Sequence, residues 1–484
     1  MKKSPPSTVI PIHVSPPELG NDNLFSAYEK QVRIYPRSVR GLFASWRWVM
    51  VWITQLVFYG LPWMQWNGRQ AVLFDLSERR FFVFNLVLHP QDFIYLAALL
   101  VIAALALFFF TAVAGRLWCG YACPQTVYTE IFLWVERHTE GDRSARMRLD
   151  AAKWGVEKIA RKGAKQLIWI TIGLITGFTF VGYFTPIQTL LAEAGAWSFS
   201  PWEWFWVLFY GFATYGNAGY MREQVCKYMC PYARIQSALI DMDSMVIAYD
   251  TGRGEARGSR SRTADPKALG LGDCIDCTLC VQVCPTGIDI RDGLQNECIA
   301  CAACIDVCDD VMGKMGYAKG LIRYSSGNGI EQTLAPREML KRVWRPRVLI
   351  YGILLLAAST VFVTSLSMRK GFSVDVMKDR ATMARIVAHG HIENVYRVQI
   401  MNGTEQTQRY RLSVSGLPGL QMETTSQLEV EATGIGSLPV RLTLAPDAAQ
   451  AYQGRSNPIT FEIQSIQAGG STVALEKSTF FVPR

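Results

Sequence analysis

Eight cysteines repeat one spacing, Cys274-x2-Cys277-x2-Cys280-x3-Cys284-Pro285 and Cys298-x2-Cys301-x2-Cys304-x3-Cys308. In such a doubled run, three close thiolates grip one iron–sulfur cluster and the fourth cysteine crosses to the other. The spacing therefore assigns Cys274, Cys277, Cys280 and Cys308 to one 4Fe–4S cluster, and Cys284, Cys298, Cys301 and Cys304 to a second. Zinc sites also use C-x2-C pairs, but usually two pairs set apart by a longer loop. Here each group has a third and a fourth cysteine in cluster register, which favours clusters. Asp309 stands where the first copy has Pro285, a departure that removes no ligand. Clusters held by crossed ligands lie close together, pass single electrons and offer no substrate pocket of their own.

The other four of the 12 cysteines form a second repeat, Cys119-Gly-Tyr-Ala-Cys123-Pro124 and Cys226-Lys-Tyr-Met-Cys230-Pro231. Proline suits the first position of a helix, so Cys123 and Cys230 are expected at N-caps. A thiol there has its pKa lowered and becomes a better ligand or redox group. Soft thiolates favour Cu(I). One copy alone is equally well read as small buried cysteines packing at a helix start. Two copies favour function: a copper site, a redox-active pair or docking for another centre.

The elements that position these residues include membrane helices. Half of the 484 residues are hydrophobic and the net charge is +9. Apolar runs of bilayer length fall at about 42–63, 93–114, 167–185, 202–220 and 348–366. Tryptophans cluster at the run ends (Trp46, Trp48, Trp63, Trp66, Trp118, Trp202, Trp204), as an aromatic belt would. Arg47 and Glu203 lie near run ends and are read as reaching the interface. Basic residues fill the arm before the first run and the loop from Arg137 to Lys165, while the loop between the third and fourth runs has none. This places the N-terminus and both cysteine repeats in the cytoplasm and the C-terminus outside. The loop 64–91, with Arg69, Arg79 and Arg80, fits that rule imperfectly. The same loops explain the positive charge better than nucleic-acid binding does. The N-terminus shows no cleavable secretory signal.

The expected architecture is multidomain. A cytoplasmic arm (1–40) precedes a membrane domain (41–220) that carries four helices of a five-span α-helical bundle. A cytoplasmic segment (221–346) holds the second C-x3-C-P motif and a two-cluster ferredoxin-like domain. A fifth helix follows (347–368), then a periplasmic all-β domain (370–484). Within the cytoplasmic segment, the Gly/Arg stretch Thr251–Arg262 reads as a mobile linker. In the last segment alternation recurs at Tyr396/Val398/Ile400, Tyr410/Leu412/Val414, Leu428/Val430, Leu438/Val440/Leu442 and Ile459/Phe461/Ile463. Turn signals such as Asn402-Gly403 and Gly416-Leu-Pro-Gly419 separate these strands, which predicts an immunoglobulin-like sandwich. No C-x2-C-H haem motif, dinucleotide fingerprint or P-loop occurs, and none of the five His lies in an apolar run, which argues against b-type haem. Gly216-x2-Gly219 reads as helix packing and His389-Gly-His391 as a loop rather than a metal pair.

Taken together, the motifs resemble the family of cbb3-type cytochrome c oxidase accessory proteins, CcoG (also called FixG or RdxA), which are membrane-bound polyferredoxins. The stretches that carry the resemblance are Gly272–Cys277, Cys284–Arg291, Gly293–Cys301, Gly320–Tyr324, Tyr249–Glu255, Asn394–Arg397 and both C-x3-C-P motifs. It covers all but about the first 30 residues. The resemblance implies a multi-pass bacterial inner-membrane protein that reduces Cu(II) to Cu(I) for maturation of cbb3-type oxidase. It carries the eight ferredoxin cysteines over as cluster ligands, and Cys119, Cys123, Cys226 and Cys230 as candidate copper or relay cysteines. A homodimer, a soluble cytoplasmic electron donor, and copper chaperones or oxidase assembly factors are the expected partners.

Two other functions compete with cupric reduction. One is a quinol-linked carrier, similar to the membrane ferredoxin partners of periplasmic nitrate reductase. The added outer β domain and the family stretches distinguish the present chain from those. The other is an oxidase-assembly scaffold in which the clusters are only structural.

Overall fold

The computed structural model describes residues 33–266, 268–332, 334, 336–379, 383–466 and 473–484. The expected arm therefore lies largely outside the described residues. The chain divides into two compact units, residues 1–64 with 97–360, and residues 65–96 with 361–484.

All five apolar runs are helical. They form α1 (Leu42–Gly60), α2 (Phe93–Ala114), α4 (Val156–Val181), α5 (Pro201–Gly216) and α8 (Pro346–Ser367). Among the described residues three helices, not five, are long and apolar enough to cross a membrane: Pro90–Ala114, Val156–Val181 and Pro346–Ser367. The α5 helix gives way to a π-turn at Asn217–Met221 after 16 residues. At about 1.5 Å per residue it spans roughly 24 Å, against a hydrocarbon core of about 30 Å. The α1 run is diluted by Arg47, Gln55 and three tryptophans.

Gly173 and Gly177 lie one turn apart on α4 and let it approach α5 at backbone distance. A Cβ at Gly173 would sit 2.7 Å from the carbonyl of Gly211, and one at Gly177 would collide with the carbonyl of Val207. The expected packing role holds for Gly219, against Trp169, but not for Gly216, which meets nothing. Glu203 lies at a helix start as expected, in a reciprocal capping box with Ser200.

Arg47 does not reach toward an interface. It is buried and donates to the carbonyl of Cys301 at 2.5 Å. One turn earlier the amides of Phe43 and Ala44 donate to the Asp306 carboxylate at 3.1 and 2.7 Å. The start of α1 is thus docked on the cysteine-bearing segment and capped by it.

That segment contains one substantial helix, α7 (Ala303–Met315), and a two-stranded ribbon of Val246–Tyr249 with Ile322–Ser325. The Thr251–Arg262 stretch is fixed rather than mobile. Arg253 pairs with Asp273 at 2.6 Å, and Arg260 donates to the carbonyl of Gly272 at 2.7 Å and lies over Tyr317. Asp309 falls inside α7, where proline would remove a backbone donor and break the helix. Its carboxylate instead accepts from the amide of Gly320 at 2.8 Å.

In the second unit, residues 372–482 form two facing antiparallel sheets. The strands are β1 (Phe372–Lys378), β2 (Ile392–Asn402), β3 (Gln408–Ser415), β4 (Leu420–Met422), β5 (Gln427–Val430), β6 (Ile435–Leu444), β7 (Arg455–Ser465) and β8 (Val473–Val482). One sheet runs β4-β6-β2-β1 and the other β5-β3-β7-β8. Most of the expected inward residues are buried, with Tyr396, Val398, Ile400, Tyr410, Leu412, Val440, Leu442, Ile459, Phe461 and Ile463 in one core. Asn394 and Tyr396 clamp the sheets. Asn394 exchanges hydrogen bonds with the backbone of Phe481, and the Tyr396 hydroxyl donates to the carbonyl of Thr479 at 2.8 Å.

The loop 64–91 forms small strands in this same unit. Arg69 pairs with Glu405 at 2.7 Å, and Arg369 pairs with Asp92 at 2.5 Å and donates to the carbonyl of Val87. Arg69, one of the misplaced basic residues, is thus committed to an acid of the β domain. His389 and His391 belong to or flank a short turn, Ala388–Gly390, and among the described residues they join no metal-binding group.

Candidate iron–sulfur and four-thiol site

The two ferredoxin-type runs adopt the same local geometry. Asp276 and Thr278 in the first, and Ala300 and Ala302 in the second, take left-handed backbone conformations with φ of 52°, 55°, 55° and 60°. These turns aim amide groups inward. The amide of Ala300 bonds the sulfur of Cys298, and that of Ala303 bonds the sulfur of Cys301. Such N–H donors stabilise a thiolate.

The structure brings the cysteines together in two chambers. One is lined by Cys274, Cys277, Cys280 and Cys308 among Tyr249, Leu279, Val311 and Ile322. The other is lined by Cys284, Cys298, Cys301 and Cys304, with Cys280 shared between the two, among Ile288, Ile290 and Ile299. Cys308, last in the second run, faces Cys280, Cys277 and Cys274 of the first, while Cys304 faces Cys301, Cys298 and Cys284. Burial pushes the Cys280, Cys298 and Cys308 thiols up to about 12 and also raises Cys301 and Cys304. Four sulfurs around an apolar chamber fit an iron–sulfur cluster, whose iron replaces the protons that burial retains. Among the described residues no three Cys, His, Asp or Glu groups gather tightly enough for one metal ion.

The C-x3-C-P cysteines occupy the expected local positions. Cys123 and Cys230 are the N-caps of α3 (Pro124–Thr139) and α6 (Pro231–Leu239), with each proline at the first turn. The expected lowering of pKa at the cap does not hold for Cys123. Burial raises it and outweighs the amides of Gln125 and Thr126, which bond its sulfur. Burial likewise raises Cys119 to about 12 and Cys226 to about 11.

The two copies form one constellation, which local sequence does not reveal. Cys119 faces Cys123 and Cys226, Cys226 also faces Cys123 and Cys230, and Cys123 faces Cys230. Three long-range ties hold them. The Gln125 amide donates to the carbonyls of Asn217 and Arg222 at 2.9 and 3.1 Å. Arg116 donates to the carbonyl of Ala233 at 2.5 Å and to that of Asn296. Glu136, only 1% exposed, joins Arg146 at 2.5 Å to Arg222 at 2.8 Å, with Lys165 at 3.9 Å. Burial alone would raise the Glu136 carboxyl, but these cations hold it below the usual carboxylate range.

This constellation adjoins the second ferredoxin-type set. A Cβ at Gly120 would sit 2.7 Å from the carbonyl of Ala300, so only glycine allows that approach. Tyr324 links the same loop to the first motif, donating to the carbonyl of Ala300 at 2.8 Å with its hydroxyl 3.3 Å from that of Tyr121. Cys226 and Cys301 also line one common cavity.

Comparison with known proteins now bears on the whole chain. The nitrogen fixation protein FixG of Rhizobium meliloti is 38% identical over 451 residues, 87% of this chain and 85% of that protein. The chain belongs to the FixG family. Protein RdxA of Cereibacter sphaeroides is also 38% identical, over 467 residues, 94% of this chain and 98% of that one. Within the FixG framework, residues 362–483 match the IG-like fold at the C-terminus of FixG, residues 221–327 a 4Fe–4S dicluster domain, and residues 96–140 a 4Fe–4S binding domain. Among solved structures, a FixG-related protein from Vibrio parahaemolyticus is 24% identical and covers 24% of this chain and 98% of its own, with a TM-score of 0.20. The chain is thus an iron–sulfur electron-transfer protein of the FixG family. Its three apolar helices make it a membrane protein.

Proposed function

We propose that this protein passes single electrons through two 4Fe–4S clusters to Cu(II), yielding Cu(I) for assembly of a cbb3-type oxidase. The observation that carries the electron path is that the two four-cysteine chambers share Cys280 in their linings, while Cys226 of the C-x3-C-P set lines a cavity together with Cys301 of the second chamber. Cys274, Cys277, Cys280 and Cys308 would hold one cluster, and Cys284, Cys298, Cys301 and Cys304 the other. When bound, each cluster supplies reversible one-electron transfer. The apolar walls exclude water, and the inward amides favour the thiolate form. Cys119, Cys123, Cys226 and Cys230 form the terminus at or beside which substrate Cu(II) takes one electron and leaves as Cu(I), a state that soft sulfur favours.

In this reading the cysteine-bearing segment faces the cytoplasm of a bacterial inner membrane and meets a soluble electron donor. The β domain faces the periplasm, where a copper chaperone or oxidase assembly factor would meet it. The basic stretch Arg143–Lys165 supports the first assignment, and the Arg69–Glu405 ion pair supports assigning loop 64–91 to the same side as the β domain.

The test is anaerobic reduction of the purified protein followed by Cu(II), with the product trapped by a Cu(I)-specific chelator. Cluster absorbance should recover as Cu(I) forms, one electron per ion. Cys230→Ser should lose this while keeping the iron of the eight ferredoxin cysteines. Clusters that stay reduced in the presence of Cu(II) would remove copper from the proposal.

A further inference from the structure

We infer that Arg47 and Arg116 are positioning residues for charge: they raise the reduction potential at the second set, Cys284, Cys298, Cys301 and Cys304, above that at the first. Electrons then enter at the first set and collect at the second, beside the C-x3-C-P cysteines. The inference rests on the proposed electron path and gives it a direction.

Both arginines hold the loop that carries the second set. Arg47, on α1, donates to the carbonyl of Cys301 itself at 2.5 Å and lines a cavity with that residue. Arg116 donates to the carbonyl of Asn296, two residues ahead of Cys298, and to that of Ala233 at 2.5 Å. Each is only 6% exposed. The partners named are carbonyls, and among the described residues neither arginine forms an ion pair with a carboxylate. Arginine keeps its charge at any ordinary pH. A buried guanidinium without a counterion is costly. An electron taken up at the second set brings negative charge toward both cations and offsets that cost, so the arginines favour the reduced state there.

The acids around the second set do not cancel this. Asp306 and Glu130 lie near Arg47. The Asp306 carboxylate is occupied by the amides of Phe43 and Ala44 at the start of α1, an end that already carries partial positive charge. Glu130 is partly exposed, so water screens it.

The first set has the opposite balance. Its chamber is lined by Arg291, which is shared by two carboxylates, Asp289 at 2.6 Å and Asp276 at 2.5 Å. One cation against two acids leaves net negative charge, which disfavours an added electron. Cys277 is the one exposed cysteine of the twelve, so the first set is also where a soluble donor can approach. Water at Cys277 raises the potential there and works against the contrast. It reaches one ligand of four, whereas each buried arginine is a full charge acting through a medium of low dielectric. Cys280 lines both chambers, so an electron lost at the first set has a short way to the second before it passes to Cu(II).

The test is a redox titration of the full-length protein purified without oxygen, followed by EPR and visible absorbance. Cys298→Ser changes one ligand of the second set, and the step it moves or removes identifies that set. In the unmodified protein this step should lie at more positive potential than that of the first set. Arg47→Gln and Arg116→Gln should each move it to more negative potential, with the first step unmoved and iron content unchanged. Arg116→Lys, which keeps the charge, should restore most of the original position. Arg291→Gln should lower the first step instead. A second-set step at or below the first in the unmodified protein would overturn the inference, and that reading stands even where a glutamine variant loses its iron. So would iron-loaded glutamine variants with unshifted steps, or a lysine variant that shifts as far as the glutamine one. The expected order of steps in a protein that does not reduce Cu(II) would keep the direction and discard the cupric role, so the two readings fail separately.

Discussion

The cysteine-bearing segment, Val246–Ser325, and the β domain, Phe372–Val482, hold their chains together by different means. The first contains one 13-residue helix and a ribbon of two four-residue strands; much of the rest is turn. Its chambers are lined by sulfur, and left-handed residues bend the backbone around them. The second is mostly strand, contains no cysteine, and closes on a core of interleaved aromatic and β-branched side chains. The difference teaches that one region depends on what its thiols bind, whereas the other is complete in its own side chains. A region that binds its metal only when folded gains the binding energy as folding energy.

The largest effect should come from stripping iron. Exposure of the purified protein to an oxidant and an iron chelator should make residues 246–325 sensitive to limited proteolysis while residues 372–482 stay resistant. Cys304→Ala should reproduce this without chelator. Equal sensitivity of the two regions would break the comparison, and so would continued protection of the first.

The reciprocal test is Phe461→Ala. Phe461 is fully buried and packs edge-to-face on Tyr396 across the sandwich at 5.2 Å. Its truncation should cost about 3–5 kcal/mol in the β domain. Iron content should stay unchanged, since the sulfur chambers need nothing from this core. A loss of iron in Phe461→Ala would show that the regions fold as one.

Between these extremes stands Glu136, which holds the two C-x3-C-P motifs by charge. Glu136→Gln leaves Arg146 and Arg222 without their carboxylate, while Lys165 keeps Glu140 at 2.8 Å, at a cost of about 3–5 kcal/mol. The folded-state pKa lies below that of the unfolded chain, so this stability is fully present above the unfolded value of about 4.3. It is lost as pH falls through the folded value. Melting curves of the two proteins should therefore be far apart near neutral pH and converge in acid. A gap that does not change with pH would show that packing, not charge, sets the cost.

Much of the β domain was legible because period-two alternation is a local signal, and the named inward residues Tyr396 to Ile463 needed only their own neighbours. The paired cysteine runs were legible for the same reason: ligand spacing within a run is short. What was not legible depends on contacts across long separations. Nothing near Cys119 announces Cys226, and nothing near Arg69 announces Glu405. The strands β1 and β8 were missed because their alternation is weak, with few buried residues along each. Ionisable residues beside apolar runs gave a signal that was undervalued. Arg47 in the first run is best explained by a partner rather than by an interface.

The smallest effect concerns the place where a membrane-type helix meets the sulfur-dependent region. The residue before α1 is Gly41, which offers no side chain to its free amides. Asp306 replaces that cap from 262 positions away, accepting from Ala44, and also accepts from Phe43. Gly41 is required, because a Cβ there would collide with the Asp306 carboxylate. Asp306→Ala removes the cap and leaves two amides without acceptors, at a cost of about 0.5–2 kcal/mol. Hydrogen exchange should accelerate at Phe43 and Ala44 and stay unchanged in the β domain. Stripping iron from the unmodified protein should produce the same acceleration, because Asp306 sits on α7 between Cys304 and Cys308 and is held in place only while that helix is folded. If iron removal leaves these two amides protected, α7 keeps its shape without the cluster, and the dependence on bound metal is confined to the loops.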